Sequence, residues 1–322
     1  MKKFPVNSKL ISKLTKDLTF SCEKAKRELN WNPKVYQITF NMMYYISYFF
    51  INIYFKWIFF CKKFKIFDNP NSRSSHSEIT VRGAGVIIPL ISLFSGNVFL
   101  EKHKLYLFGL FLVGIISFID DIKSLPNKIR IVFHFFAVLL FVFNFQYFDL
   151  PGVYIILLLF LFLGVINAVN FMDGINGISG FYGIVFLNSI IIQNNYFHSD
   201  FEFKYSLNII IALSAFLTFN FRKNAICFLG DVGSISLAYV FLFFISDSLR
   251  FSNSSEIFIF LFLYGLDTGY TILFRVLKKE NIFTPHRLHL YQLFVNEKRY
   301  SPLFVSTLNV YGENRRIDTL YD

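Results

Sequence analysis

Residues 105–121 read LYLFGLFLVGIISFIDD. The stretch is uncharged from Leu105 to Ile119 and then ends in two adjacent carboxylates, Asp120 and Asp121. A helix needs about 20 apolar residues to cross a bilayer. Apolar runs of comparable length recur from about residue 38 to residue 277. They are continuous rather than alternating, which argues against a β-barrel. Backbone groups in lipid must be hydrogen-bonded within their own segment, so each run is read as a helix. The fold class expected is therefore all-α: a polytopic membrane helix bundle of about nine spans. These lie near 38–60, 84–100, 105–119, 131–145, 153–169, 178–193, 206–221, 233–247 and 256–277.

Composition agrees. Of 322 residues, 54% are hydrophobic and 16% charged, against about 25% charged in soluble domains. Mean hydropathy is +0.48. Too few polar residues remain to cover a water-soluble surface, so an ordinary soluble enzyme and a disordered chain are excluded. Cys22, Cys61 and Cys227 stand far apart and have no metal or redox spacing.

The net charge of +11 is not read as a nucleic-acid signal, because basic residues gather in the cytoplasmic loops of membrane proteins. Loops 61–83, 120–130, 170–177, 222–232 and 275–300 hold sixteen Lys and Arg; loops 101–104, 146–152, 194–205 and 248–255 hold four. The alternation places the first set in the cytoplasm. Residues 1–37, with nine Lys and Arg, break it.

The polar motifs fall in the basic set of loops. The first is Asp68-Asn-Pro-Asn-Ser-Arg73-Ser-Ser-His76, followed by Arg82-Gly-Ala-Gly85. Basic side chains before a helix start, where backbone N–H groups are free, suit an anionic ligand. The second is Asp120-Asp121 with Lys128 and Arg130; paired carboxylates at a membrane edge are costly and are functional candidates. The third is Asn167-Ala-Val-Asn170-Phe-Met-Asp173-Gly-Ile-Asn176-Gly177, rich in the oxygen ligands a hard cation prefers. The fourth is Phe228-Leu-Gly-Asp231-Val-Gly-Ser234, a Gly-flanked Asp at a helix start. The fifth is His286-Arg287-Leu-His289, where Arg287 is a bidentate phosphate donor. Each has an ordinary alternative: a basic loop, a snorkelling pair, a polar turn, an N-cap or loop histidines. All five on one membrane face describe Mg²⁺-assisted chemistry on a phosphate or diphosphate.

With these motifs in this order, residues 44–300 resemble the polyprenyl-phosphate N-acetylhexosamine-1-phosphate transferases. These are glycosyltransferases of family 4, related to the phospho-N-acetylmuramoyl-pentapeptide transferases, and the sequence is most similar to the branch that initiates O-antigen. The resemblance implies a multi-pass enzyme of the bacterial inner membrane with its site facing the cytoplasm. It would move a sugar 1-phosphate from a UDP-N-acetylhexosamine to undecaprenyl phosphate and release UMP. It implies Mg²⁺, with Mn²⁺ as the alternative, no nucleic-acid partner, and compatibility with a homodimer. By the same resemblance Asp231 and Asn170 hold the metal. Asp120 acts on the lipid phosphate with Asp121 beside it, and His286 and His289 sit at the diphosphate and sugar. Arg73, His76, Arg82, Lys128, Arg130, Asn167, Asp173, Asn176, Phe228 and Arg287 contact substrate. One in-line displacement and a phospho-aspartate intermediate both remain open.

The sequence departs from the family pattern at Ile79-Thr80-Val81, where relatives often carry Pro-x-Pro, and at Ser124, where many carry Asp. Three regions are expected: a polar tail at 1–37, the transferase domain at 38–300 and a polar tail at 301–322. The last stands where relatives carry further spans, so a truncated chain is expected. Residues 21–34, SCEKAKRELNWNPK, resemble the C-terminal tail of NAD-dependent sugar-nucleotide epimerases and dehydratases without their glycine-rich motif. This reads as the remnant of a neighbouring gene, with Met42 or Met43 near the ancestral start. A truncated, inactive relative and a membrane transporter are the competing functional readings.

Overall fold

The computed structural model describes residues 33–70, 78–94, 97–192, 200–252, 259–281 and 288–308. The chain divides into two compact units, Met1–Tyr48 and Phe49–Asp322. Of the first, the described residues belong to helix α1 (Pro33–Phe64), which opens on Pro33, a residue suited to a first turn that needs no N–H donor. The remnant proposed for residues 21–34 lies almost wholly outside the described residues.

The second unit is an all-α membrane bundle with one short β-ladder. After α1 come strands β1 (Phe67–Asp68) and β2 (Thr80–Val81), paired antiparallel with Phe67 opposite Val81. A 3₁₀ turn, Ala84–Val86, leads into α2 (Ile87–Ile91), and α3 (Asn97–Lys102) follows. The larger helices are α4 (Lys104–Ile122), α5 (Asn127–Asn144), α6 (Gly152–Met172), α7 (Ile178–Ile192), α8 (Asp200–Asn220), α9 (Gly230–Ser252) and α10 (Ile259–Leu277). The short α11 (Leu290–Gln292) runs into a π-turn, Leu293–Glu297.

Among the described residues, five helices are long and apolar enough to cross a membrane: α4, α5, α6, and the greater parts of α8 and α9. The apolar helices at 84–94 and 178–191 are shorter. Of the run expected to form one span over 84–100, residues 84–94 form one apolar helix, α2 flanked by 3₁₀ turns at Ala84–Val86 and Ser92–Phe94, and the described residues resume in α3. Pro89 occupies the first turn of α2, where its missing N–H costs nothing.

Helix α9 is the axis of the bundle. Its apolar stretch is 94% buried, against 28% for α5 and for α6. The sequence explains the contrast. Helix α6 carries bulky side chains all round, and Phe160, Leu157 and Ile156 are exposed, as lipid contact requires. Between helices, packing rather than water exclusion supplies the attraction, and aromatic rings provide it. Tyr239 of α9 stacks on Tyr106 of α4 at 5.3 Å, meets Phe141 of α5 edge-on, and donates its hydroxyl to the Ala137 carbonyl at 2.8 Å. The high aromatic content is thus invested in the core as well as the lipid face. Cys61 and Cys227 are buried and unpaired.

Candidate active site

The site forms where the last turn of α4 meets the first turn of α9. Gly230 adopts φ +77°, and Asp121 fits against it so closely that a Cβ there would lie 2.5 Å from its Oδ2. Asp121 is fully buried. Its carboxylate accepts the backbone N–H groups of Asp231 (2.9 Å) and Val232 (3.1 Å), two of the free donors at the start of α9. Its third partner is Arg82, whose Nε lies 2.7 Å away.

Arg82 is delivered by the strand–turn that precedes α2. Phe228 N–H donates to the Val81 carbonyl at 2.7 Å, Ala84 N–H to Phe228 and Gly85 N–H to Leu229. This lacing leaves no room for side chains: a Cβ on Gly85 would overlap the Gly233 Cα. Arg82 also reaches Asp231 Oδ1 at 2.9 Å and Asp68 at 3.9 Å. Desolvation opposes its charge, but Asp231, Asp121 and Asp68 outweigh that and hold its pKa above the ordinary guanidinium value.

Arg130, in the first turns of α5, bridges the other two carboxylates. Its Nη1 lies 2.7 Å from Asp120 Oδ2 and 3.4 Å from Asp231 Oδ2. The remaining oxygen of Asp120 accepts the Leu125 N–H at 2.5 Å. Two arginines and three aspartates thus form one connected cluster in which Asp231 touches both arginines. With Asp68 on the outer side of Arg82, carboxylates outnumber guanidiniums by two.

Beside the cluster lies a cavity of about 1040 Å³ between α5, α6 and α10. Arg130, Asp231, Asn167, Asn170 and His289 line it together with apolar side chains from the three helices. Ser234 donates to Asn170 Oδ1 at 2.6 Å, and Asn167 Nδ2 donates to the Leu163 carbonyl. His289 is buried; its Nδ1–H donates to Asp267 Oδ2 at 2.7 Å, and the other oxygen of Asp267 accepts the Leu290 N–H at 2.8 Å. Asp173, half-buried beyond the end of α6, has its carboxyl pushed up to about 6, first by desolvation and further by the charge of Asp231.

Several expected residues stand elsewhere. Asn176 is buried, and its side chain donates to the Arg222 carbonyl at 2.8 Å. Its own carbonyl accepts the Ser306 hydroxyl at 2.7 Å. Asn176 therefore fixes the loop after α6. Lys128 is exposed, two residues from Arg130 and so on a different face of α5. Phe228 is half-buried, its backbone engaged with the Arg82 turn. Arg73, His76, His286 and Arg287 lie outside the described residues. Residues 302–308, expected as a polar tail, include a helical turn whose Val305 and Ser306 are buried.

Two residues of the site escaped the sequence reading. Asp267 lies inside an apolar run and serves His289, 22 positions later. An ionisable group at membrane depth is the signal that marks it. His134, in α5, also lines the cavity.

Among the described residues no three His, Cys, Asp or Glu side chains converge as a metal cage. Asp231 and Asn170 line the same cavity. Their side-chain oxygens are of the kind Mg²⁺ prefers, an ion that commonly takes its other ligands from phosphate and water.

Known proteins resemble the chain across residues that build this cluster. Residues 104–248 match the family model described as glycosyl transferase family 4. A probable undecaprenyl-phosphate N-acetylglucosaminyl 1-phosphate transferase of Bacillus subtilis (strain 168) is 23% identical over 244 residues, 70% of this chain and 68% of that protein. The phospho-N-acetylmuramoyl-pentapeptide-transferase of Streptococcus gordonii is 32% identical over 176 residues, 46% of this chain and 51% of its own length. The protein of that name from Fervidobacterium nodosum is 28% identical over 217 residues, 62% of this chain and 68% of its own. The chain thus spans between half and about two thirds of these curated relatives.

Proposed function

We propose that the chain, whose residues 104–248 match glycosyl transferase family 4, belongs to that family and transfers an N-acetylhexosamine 1-phosphate from a UDP-sugar to undecaprenyl phosphate, releasing UMP. The observation that carries this reading is the join between an arginine–aspartate cluster and a largely apolar cavity at the lipid-facing helices α5, α6 and α10. A water-soluble diphosphate and a lipid phosphate can meet only where polar and apolar linings adjoin. The basic loops at that end of the bundle support a cytoplasmic site, and the family branch supports a role in initiating a cell-surface glycan such as O-antigen.

In the reaction a phosphate oxygen of the lipid attacks the sugar-bearing phosphorus of the diphosphate. The bond from that phosphorus to the oxygen bridging the UMP moiety breaks, and UMP leaves with the electron pair. The attacking phosphate is already anionic near neutral pH, so the chain's task is positioning and charge neutralisation. Arg130, held by Asp120 and Asp231, offers a cation at the cavity. Arg82 offers another at the junction of α4 and α9. Asp267 fixes the orientation of the His289 ring at the cavity wall.

The excess of carboxylates over guanidiniums supports a metal requirement: a diphosphate and a lipid phosphate cannot join an anionic cluster without added positive charge. Asp231 and Asn170 would hold Mg²⁺, which would neutralise the diphosphate. Among the aspartates, Asp121 is the one disfavoured as a nucleophile. Asp121 already accepts three hydrogen bonds, and using it as a nucleophile would uncap α9. The assembled cluster favours an active enzyme over a decayed relative. Its gathering at one end of the bundle, rather than along a pathway, disfavours a transporter.

The test uses membranes supplied with undecaprenyl phosphate, Mg²⁺ and a panel of UDP-N-acetylhexosamines. UMP release that stops on chelation, and in Asp231→Ala, is the expected result. Well-folded protein that releases no UMP from any donor contradicts the reading.

A further inference from the structure

Inside the cavity, His134 is 1% exposed, and neither ring nitrogen has a hydrogen-bond partner. It faces the same space as Arg130, one helical turn earlier in α5. Residues i and i+4 share a helix face, and the turn places His134 about 6 Å deeper along the axis. Buried polar groups are almost always bonded, and an orphan calls for an explanation. Much of the cavity wall is apolar: Ile131, Phe160, Leu161, Val165, Leu261 and Ile272 line it. Phe160, Leu161, Ile131 and Ile272 are also exposed on the lipid-facing surface. A fully water-soluble ligand has no reason to enter so far. A ligand with an anionic head at Arg130 and a hydrocarbon tail does.

We propose that His134 is a binding residue for the lipid acceptor, its ring N–H donating to the phosphate of a long-chain phosphomonoester whose hydrocarbon leaves between α5, α6 and α10. The inference rests on the transferase reading and adds a residue to it. A neutral imidazole carries one donor and one acceptor. The donor pairs with phosphate, and Arg130 supplies the charge. The arrangement selects for depth: inorganic phosphate satisfies Arg130 without a tail to hold it near His134, and a lipid alcohol fills the apolar wall without an anion.

The experiment compares wild type, His134→Phe, which keeps a ring without a donor, and His134→Gln, which restores one. Purified protein in detergent is tested by thermal shift with farnesyl phosphate, farnesol, inorganic phosphate and UDP-N-acetylglucosamine, and kinetically with both substrates varied. Farnesyl phosphate should stabilise wild type more than farnesol or inorganic phosphate does. His134→Phe should lose that shift, keep the UDP-sugar shift, and raise the lipid-phosphate KM by about 10-fold or more, as for one hydrogen bond to a charged group. The donor KM should stay unchanged, and His134→Gln should recover most of the loss. An unchanged lipid KM in His134→Phe, or equal changes in both KM values, overturns the assignment while the transferase reading stands. If His134→Phe does not fold, His134→Gln and His134→Ala decide: equal lipid KM values overturn the assignment, and a weaker Ala variant supports it. A wild-type protein that neither responds to farnesyl phosphate nor releases UMP overturns both.

Discussion

At the residue scale, the three aspartates of the site do different work, and exposure separates them. The Asp121 side chain is fully buried and that of Asp231 is 17% exposed. Removing one partner of a buried ion pair costs about 3–5 kcal/mol, so Asp121→Ala should lower the thermal midpoint steeply and abolish activity with it. Asp231→Asn, at the more open position, should abolish turnover while shifting the midpoint little. Circular-dichroism melts beside a UMP assay separate the two, and equal melting losses would contradict the division. Asp173 supplies a pH signature. Its folded pKa, about 6, is above the ordinary carboxylate value, so the folded state holds a proton that the unfolded chain has released. Stability therefore falls as pH rises from about 4 through about 6 and levels off above. In chelator, Asp173→Asn should flatten that slope and be the more stable protein at pH 8; a parallel pair of pH–stability curves would contradict this. The motifs containing Arg82, Arg130, Asp120, Asp121 and Asp231 were legible as a chemical set. Their pairing was not, because which carboxylate caps a helix and which faces a cavity depends on contacts 100 or more positions apart.

At the element scale, the apolar runs of α4, α5, α6 and α9 announced themselves because lipid demands length and apolarity together. Their ends were less legible. Helix α4 continues through Asp120 and Asp121, and α9 begins at Gly230, because polar groups at a helix end are sustained by partners on another element. The start of the 84–100 run answers a related demand: its first residues serve the site. The turn at 84–86 must approach α9 backbone to backbone. Gly85→Ala should therefore push that turn away from Gly233, withdraw Arg82 from Asp121, and cost about 1–3 kcal/mol as overpacking does. Ala at exposed Gly164, which has open space around it, is the control and should be neutral or mildly stabilising in the helix interior. Equal melting temperatures for the two variants would contradict the close-approach argument. Asp267 and His289 show the same limit. The interaction links a helix interior to a segment 22 residues on, and no local periodicity records it.

At the scale of the molecule, the arrangement solves a problem of phases. A buried central helix, α9, presents its first turn to the cluster. The lipid-facing helices α5 and α6 border the cavity, and an aromatic core holds the helices in register. The net charge of +11 is thereby divided: part pairs with aspartates in the site, and much lies in loops at that end of the bundle. The central claim is the transfer of sugar and phosphate together, which differs from sugar transfer alone in where the second phosphorus goes. The direct measurement supplies undecaprenyl phosphate and UDP-N-acetylglucosamine labelled with ³²P at the β-phosphate, with the wider UDP-N-acetylhexosamine panel run if that donor is refused. Transfer of sugar and phosphate together puts label in the lipid fraction and leaves unlabelled UMP in solution. Label retained in released UDP, or no labelled lipid from any donor with well-folded protein, would contradict it.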